Sequence, residues 1–388
     1  MRSTGSTMLL TGNHAAAYGA MLARPKVIPI YPITPQTPIA EKLTELQLQG
    51  LLNAEFITPE SEHSAMAACI SASLTGARVF TATSSQGLLL MHELLHFASG
   101  ARTPIVMANA NRTPAIPWGF WADHTDSLAQ RDTGWIQFYT ESPQEALDTV
   151  LQAYLTAETV GLPAMVIFEA FYVTHCLEVV EVPAQEAVDS YLPPYEPEVK
   201  LDPEVGRSFG NVVDQKMYFQ HRRSLDQAME RVFETARNAD EQWRELTGRG
   251  YGIVEKYKSD DAETVLLTMG SISGTAKIAV DNMRESGLSV GLLKVRLFRP
   301  FPVQELRREL QGRQRIVILD RNFSPGCGGI LHQETKAALY GMKNAPPVFG
   351  YLAGVGGVNV SPQKIEDMVR SALRAAECPV KSIWGGDE

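Results

Sequence analysis

The chain has 388 residues, 44 acidic against 35 basic side chains for a formal charge of −9, and a composition of 44% hydrophobic and 20% charged residues. That length exceeds what one core usually serves, so two or three ordinary globular domains are expected. The acidic balance excludes a nucleic-acid surface, whose phosphates require clustered Lys and Arg. No apolar run reaches the roughly 18 residues of a membrane span, and residues 1–11 lack the basic start and apolar core of a secretion signal, so no membrane association and a cytoplasmic location are expected.

In chain order, apolar runs at 27–31, 54–57, 78–82, 104–108 and 163–168 alternate with helix-length segments at 61–75, 86–99 and 143–160. That rhythm predicts a mainly parallel sheet covered by helices. Gly76 and Gly100 mark helix ends, and Ser142-Pro143 marks a helix start. Between 177 and 250 the rhythm fails. Pro183, Pro193, Pro194, Pro197 and Pro203 break up an acidic stretch, which reads as an interdomain connection carrying one charged helix over 224–247. A second α/β unit follows, with strands at 264–269, 289–295, 315–319 and 348–351 and helices at 274–285, 303–310, 330–340 and 362–375. The domains are therefore set at 1–176, 177–250 and 251–388.

Tyr31-Pro32-Ile33-Thr34-Pro35 closes the first apolar run. The two prolines fix φ and push their predecessors toward extended geometry, so Thr34 is held in one place at the carboxyl end of a strand, where open α/β sheets bind ligands. Glu62 stands at the start of an apolar helix after the 54–57 strand. As a residue type it serves equally as a first-turn acid favoured by the helix dipole, and Glu60 would do the same. Arg112 follows the 104–108 strand, where a guanidinium either grips a carboxylate through two parallel hydrogen bonds or simply faces solvent. Asp123, His124 and Asp126 lack the spacing of a metal site and read as loop-fixing groups, and His63 and His92 as structural. Gly270-Ser271-Ile272-Ser273-Gly274 reads as an ordinary βα turn without the lysine of a P-loop or the full dinucleotide pattern, and Gly326-Cys327-Gly328-Gly329 is equally ambiguous. The four cysteines, Cys69, Cys176, Cys327 and Cys378, form no CxxC pair and no closely spaced cluster-binding set, which fits a reducing compartment.

Five segments occur together in order: YPITPQTPIAEKL from Tyr31, Glu60-Ser61-Glu62-His63-Ser64-Ala65, Asp123-His124-Thr125-Asp126-Ser127, Arg131-Asp132-Thr133-Gly134-Trp135-Ile136-Gln137 and Arg299-Pro300-Phe301-Pro302. In these the chain resembles the alpha subunit of 2-oxoacid:ferredoxin oxidoreductases, of which pyruvate synthase is a member, over about Gly12 to Ala375. The resemblance implies a thiamine-diphosphate-binding α/β domain followed by one similar to the transketolase carboxyl-terminal domain. It aligns Glu62 with the family's cofactor-activating glutamate, which hydrogen-bonds N1′ of the aminopyrimidine and favours the tautomer that deprotonates C2, with Glu60 as competitor. Tyr31, Pro32 and Ile33 would line the cofactor beside Glu62. Arg112 falls on the arginine that binds the substrate carboxylate, and Thr34 on its hydroxyl partner.

The chain departs from pyruvate-using relatives at 116–124, where Trp118, Phe120 and Trp121 crowd around Gly119 in place of aliphatic residues. Those rings could narrow the pocket, stack on an aryl substrate or pack the loop onto the next subunit. No GDG segment followed by asparagine is present to hold magnesium and the diphosphate, so half of the cofactor site is expected from a beta subunit. No metal site is assigned to this chain. Iron–sulfur clusters are expected in further gamma/delta-type or ferredoxin-like subunits, with coenzyme A as acyl acceptor and no nucleic-acid partner. The implied activity is oxidative decarboxylation of a 2-oxoacid, pyruvate in the first instance, with electrons passing to ferredoxin. Alternatives are a bulkier or aryl 2-oxoacid with another acceptor, or a non-redox transketolase- or decarboxylase-like subunit.

Overall fold

The computed structural model describes residues 5–385. The first sheet is built from strands Phe80–Thr83, Val106–Asn111, Ala164–Glu169 and Ile136–Tyr139, parallel and adjacent in that order. Every residue of these four strands is buried. Such continuous burial, without polar alternation, is what helices on both faces impose. Val27–Pro29 and Glu55–Ile57 form a parallel pair that joins this sheet through a bridge between Val27 and Val79. The first strand is shorter than the 27–31 run, because Pro29 and Pro32 turn the chain out of the ladder.

Helix Pro143–Val160 lies across the sheet. Ser142 caps it by accepting from the Glu145 amide at 3.2 Å, and Gly161 ends it in the left-handed region at φ 65°. Helix Gly12–Leu22, not expected from the sequence, packs against it closely enough that a Cβ on Gly19 would lie 2.8 Å from the Leu147 carbonyl. The expected 86–99 helix is two, Ser85–Leu90 and His92–Gly100, which meet at Met91.

Within 177–250, strand Leu177–Val182 pairs antiparallel with Ser6–Thr11. The charged helix starts at Gln215, capped by Asp214, and runs to Thr247. From Leu225 onward it buries Ala228, Val232, Ala236, Ala239 and Trp243 on one stripe against the first sheet's helical layer, whereas residues 215–224 are exposed. Helical apolar periodicity begins only where burial begins, so the earlier turns carry no such signal in the sequence.

The second sheet runs Ile383–Trp384, Val348–Leu352, Arg315–Asp320, Thr264–Thr268, Val290–Val295, Val254–Tyr257, parallel except at the last strand. Strand Leu297–Arg299 crosses over to pair antiparallel with Ile136–Tyr139, extending the first sheet. Arg299, of the Arg-Pro-Phe-Pro motif, ties that junction by donating to the Arg131 carbonyl at 3.1 Å and to Glu334 at 2.5 Å. Buried Lys294 of the second sheet bonds Glu255 of its own sheet at 2.5 Å and Glu145 of helix Pro143–Val160 at 3.0 Å, so the second sheet is also tied to the first sheet's helical layer by a paired, desolvated charge.

Candidate active site

Four loops leave the carboxyl ends of neighbouring strands on one edge of the first sheet: the 30–36 turn, the start of helix Glu62–Leu74, Ser84-Ser85-Gln86, and the segment beginning at Arg112. Open parallel sheets place ligands at such an edge. The 30–36 turn is pinned from below. Asn13 donates to the Pro35 carbonyl at 2.8 Å, and Gln36 accepts from the Ile33 amide at 3.3 Å. Tyr31 and Ile33 are half-buried, and Pro32 and Thr34 face outward.

Arg112 is only 4% exposed. Its guanidinium donates to the Thr34 main-chain carbonyl at 2.6 Å and to the Gln86 side-chain oxygen, lies 5.7 Å from the Phe120 ring, and leaves Nε buried without a partner. Burial pulls its pKa down, and the charges of Asp126 and Glu62 oppose that pull. It is therefore a desolvated cation with one unmatched donor. Gln86 gives no sequence signal of its own. Only its place after an apolar strand could have marked it.

Glu62 begins its helix, with Ser61 as N-cap accepting from the Ser64 amide at 3.2 Å. The carboxylate is 7% exposed and points toward helix Ser85–Leu90, where a Cβ on Gly87 would sit 2.6 Å from Oε1 and 2.5 Å from Thr83 Oγ1. Among the described residues, no hydrogen bond reaches that carboxylate, and Thr83 Oγ1 is buried without a partner. Glu60, by contrast, is exposed and bonded to the Ser64 hydroxyl at 2.5 Å, which holds its carboxyl below the usual range. The two glutamates that the sequence leaves in competition thus sit in opposite environments. Of the two, only Glu62 is a poorly solvated carboxylate, packed directly against a glycine.

Asp126 organises the loops. It accepts from the Ser85 amide at 2.9 Å, the Ser127 amide at 2.7 Å, the Arg112 amide at 3.4 Å and the Asn111 side chain, and burial pushes it up to about 6. Ser85, a non-glycine residue at φ 50°, is kept there by that bond and by its own hydroxyl donating to the Thr113 carbonyl at 2.7 Å. His124 is bonded to Glu169 at 2.9 Å, and Asp123 accepts from the Thr125 amide at 2.7 Å, so neither is a free group. His63 approaches Glu93 at 3.7 Å, and His92 bonds Gln130 at 2.5 Å. Among the described residues, no group of three potential ligands is placed to hold a metal ion.

The aromatic loop divides. Trp118 is 69% exposed, and Phe120 covers Arg112. Trp121 leans on the second domain, where a Cβ on Gly357 would meet its Cβ at 2.3 Å, and on Phe171 with ring centroids 5.2 Å apart.

Residues 18–241 match the family model for pyruvate flavodoxin/ferredoxin oxidoreductase, thiamine diphosphate-binding, and residues 262–365 that for pyruvate:ferredoxin oxidoreductase core domain II. This chain belongs to the 2-oxoacid:ferredoxin oxidoreductase family. It is 46% identical over 381 residues to a pyruvate synthase subunit, PorA, of Methanothermobacter thermautotrophicus, covering 97% of each chain. It is 47% identical over 371 residues to a ketoisovalerate oxidoreductase subunit, VorA, of Pyrococcus horikoshii, covering 95% and 94%. Its fold matches a 2-oxoglutarate:ferredoxin oxidoreductase from Magnetococcus marinus with a TM-score of 0.75 at 18% identity, over 95% of this chain and 66% of that one. A split-gene transketolase matches with a TM-score of 0.51 at 13% identity. The expected family, α/β fold and enzyme class are thereby established, and among the described residues no helix is long and apolar enough to cross a membrane.

Proposed function

We propose that this chain is the subunit that holds the pyrimidine half of thiamine diphosphate and orients the 2-oxoacid in an oxidative decarboxylation yielding acyl-CoA and carbon dioxide. The observation that carries the reading is the convergence, at one sheet edge, of an unbonded buried carboxylate and a buried guanidinium with a spare donor. Those groups fit the two halves of the task. Glu62 would accept or share a proton at the aminopyrimidine N1′, with Gly87 accommodating its carboxylate and Tyr31, Pro32 and Ile33 forming the adjoining wall. Arg112, fixed by Thr34 and Gln86, would offer Nε and an outward edge to the substrate carboxylate, and the exposed Thr34 side chain would meet the same end of the substrate. When bound, thiamine diphosphate supplies the electron sink that decarboxylation of a 2-oxoacid needs.

A beta-type subunit would supply the diphosphate–magnesium half, and further subunits the iron–sulfur clusters that carry electrons to ferredoxin. The names of the relatives divide between pyruvate and ketoisovalerate, which supports a small 2-oxoacid as substrate, with pyruvate the first choice. The test is co-purification from the host, followed by a 2-oxoacid panel with coenzyme A and a viologen dye. The expected result is 2-oxoacid-dependent dye reduction and iron in the complex. An iron-free complex that transfers ketols without reducing dye would establish the transketolase-like alternative instead.

A further inference from the structure

In the second sheet the chain passes from Thr264–Thr268 to Val290–Val295 on one side and to Arg315–Asp320 on the other, so strand order reverses between Thr264–Thr268 and Arg315–Asp320. The crevice beyond the carboxyl ends of two such strands is where an open sheet takes a ligand, and its floor here is Gly270-Ser271 at the start of helix Ile272–Glu285. The crevice is already filled by the Glu169 carboxylate of the first domain. Glu169 Oε1 accepts from the Ser271 amide at 2.8 Å and from His124 Nε2 at 2.9 Å, and lies 3.8 Å from Arg321 Nη1. Gly270, at φ 73°, makes the approach possible, since a Cβ there would lie 2.1 Å from Oε1. Burial raises the pKa of Glu169, but His124, Arg321 and the Ser271 amide outweigh it and hold the group below the ordinary glutamate value. The first domain thus supplies the anion that the second domain's helix end would otherwise draw from solution.

Both ends of the substrate-facing loop hang from this point. Glu169 is the cross-strand neighbour of Asn111, directly before Arg112. At the other end, the His124 amide donates to the Arg321 carbonyl at 2.9 Å. Arg321 also stacks 4.6 Å from the Tyr172 ring, whose hydroxyl bonds the carbonyl of Gly357, the residue under Trp121.

We infer that Glu169 is a positioning residue, an internal surrogate anion that locks the second domain's ligand crevice to the 112–124 loop and so sets the placement of Arg112. The inference rests on the substrate role proposed above for Arg112. Its test uses the assembled complex carrying Glu169→Ala or Glu169→Gln. Misplacing Arg112 should raise KM for every 2-oxoacid by about tenfold or more while kcat changes by less than about threefold. Acetate should occupy the vacated crevice of Glu169→Ala, restoring KM and raising the melting temperature of that complex, while leaving wild type and Glu169→Gln unmoved. An unchanged KM in either variant overturns the inference, as does a raised KM in Glu169→Ala with neither KM nor melting temperature responding to acetate. If Glu169→Ala does not assemble, Glu169→Gln, which fills the same volume, decides the question by its KM alone. A wild-type complex that oxidises no 2-oxoacid would instead refute the proposed function, and the acetate-dependent melting of Glu169→Ala would still report on the crevice.

Discussion

Arg112 is tied to Thr34 through the main-chain carbonyl of Thr34, 2.6 Å from Nη1. Any residue at position 34 provides that carbonyl, so the two positions should respond differently to substitution. Arg112→Ala should cost roughly 2–5 kcal/mol in transition-state binding for every 2-oxoacid, because all share the carboxylate. Thr34→Val keeps the carbonyl and should cost only about 1 kcal/mol, the worth of one neutral hydrogen bond. Steady-state kcat/KM in the assembled complex measures both, and equal losses would contradict the geometry.

Gly87 is predicted to be intolerant of even one methyl group. Its Cβ would fall 2.6 Å from Glu62 Oε1 and 2.5 Å from Thr83 Oγ1. Relief requires moving the carboxylate, so Gly87→Ala should destabilise the fold by only about 1–3 kcal/mol yet abolish most activity. Thermal melting beside turnover separates the two effects, and an active Gly87→Ala complex would show that the carboxylate has room to spare.

Trp118 and Trp121 should behave as different residues. Trp121 is seated on Gly357 and Phe171 of the same chain, so Trp121→Ala should lower turnover of all 2-oxoacids together and lower the melting temperature. Trp118 is largely exposed, and its removal should change the ranking among pyruvate, branched and aryl 2-oxoacids by about 1–3 kcal/mol if a bound substrate reaches it. An unchanged ranking for Trp118→Ala in an assembled complex would remove the loop from substrate choice.

Asp320, under the start of helix Ile330–Leu339, accepts from the Leu331 and His332 amides at 2.9 and 3.0 Å, and burial pushes it up to about 7. The folded state therefore holds this proton more tightly than the unfolded chain does. Stability from this group is greatest at low pH and falls as pH rises from about 4 to about 7. Asp320→Asn keeps an acceptor oxygen and removes the titration, so its melting temperature relative to wild type should climb between about pH 4 and about pH 7. Parallel pH profiles would contradict the assignment.

Much of this arrangement is legible in the amino-acid sequence. Strands expected at 163–168 and 315–319 appear as Ala164–Glu169 and Arg315–Asp320, and helices expected at 143–160 and 303–310 appear as Pro143–Val160 and Val303–Leu310. Burial on both faces and proline or serine at helix starts write themselves into local composition. Gln86 and Glu169 are not legible there, because their significance comes from partners 26 and 102 residues away, Arg112 and Ser271. Helix Gly12–Leu22 escapes notice because it is rich in small residues and buried nearly all round, which leaves no polar face to mark its period.

The proposed role of Glu62, as the carboxylate that activates thiamine, is measured directly by hydrogen–deuterium exchange at thiamine C2 in the assembled complex. Glu62→Gln keeps the shape and removes the shared proton, so exchange should slow by at least about a hundredfold. Glu60→Gln, altered at an exposed residue bonded to Ser64, should exchange as wild type does. Unchanged exchange in Glu62→Gln, or the full loss in Glu60→Gln, would contradict the account.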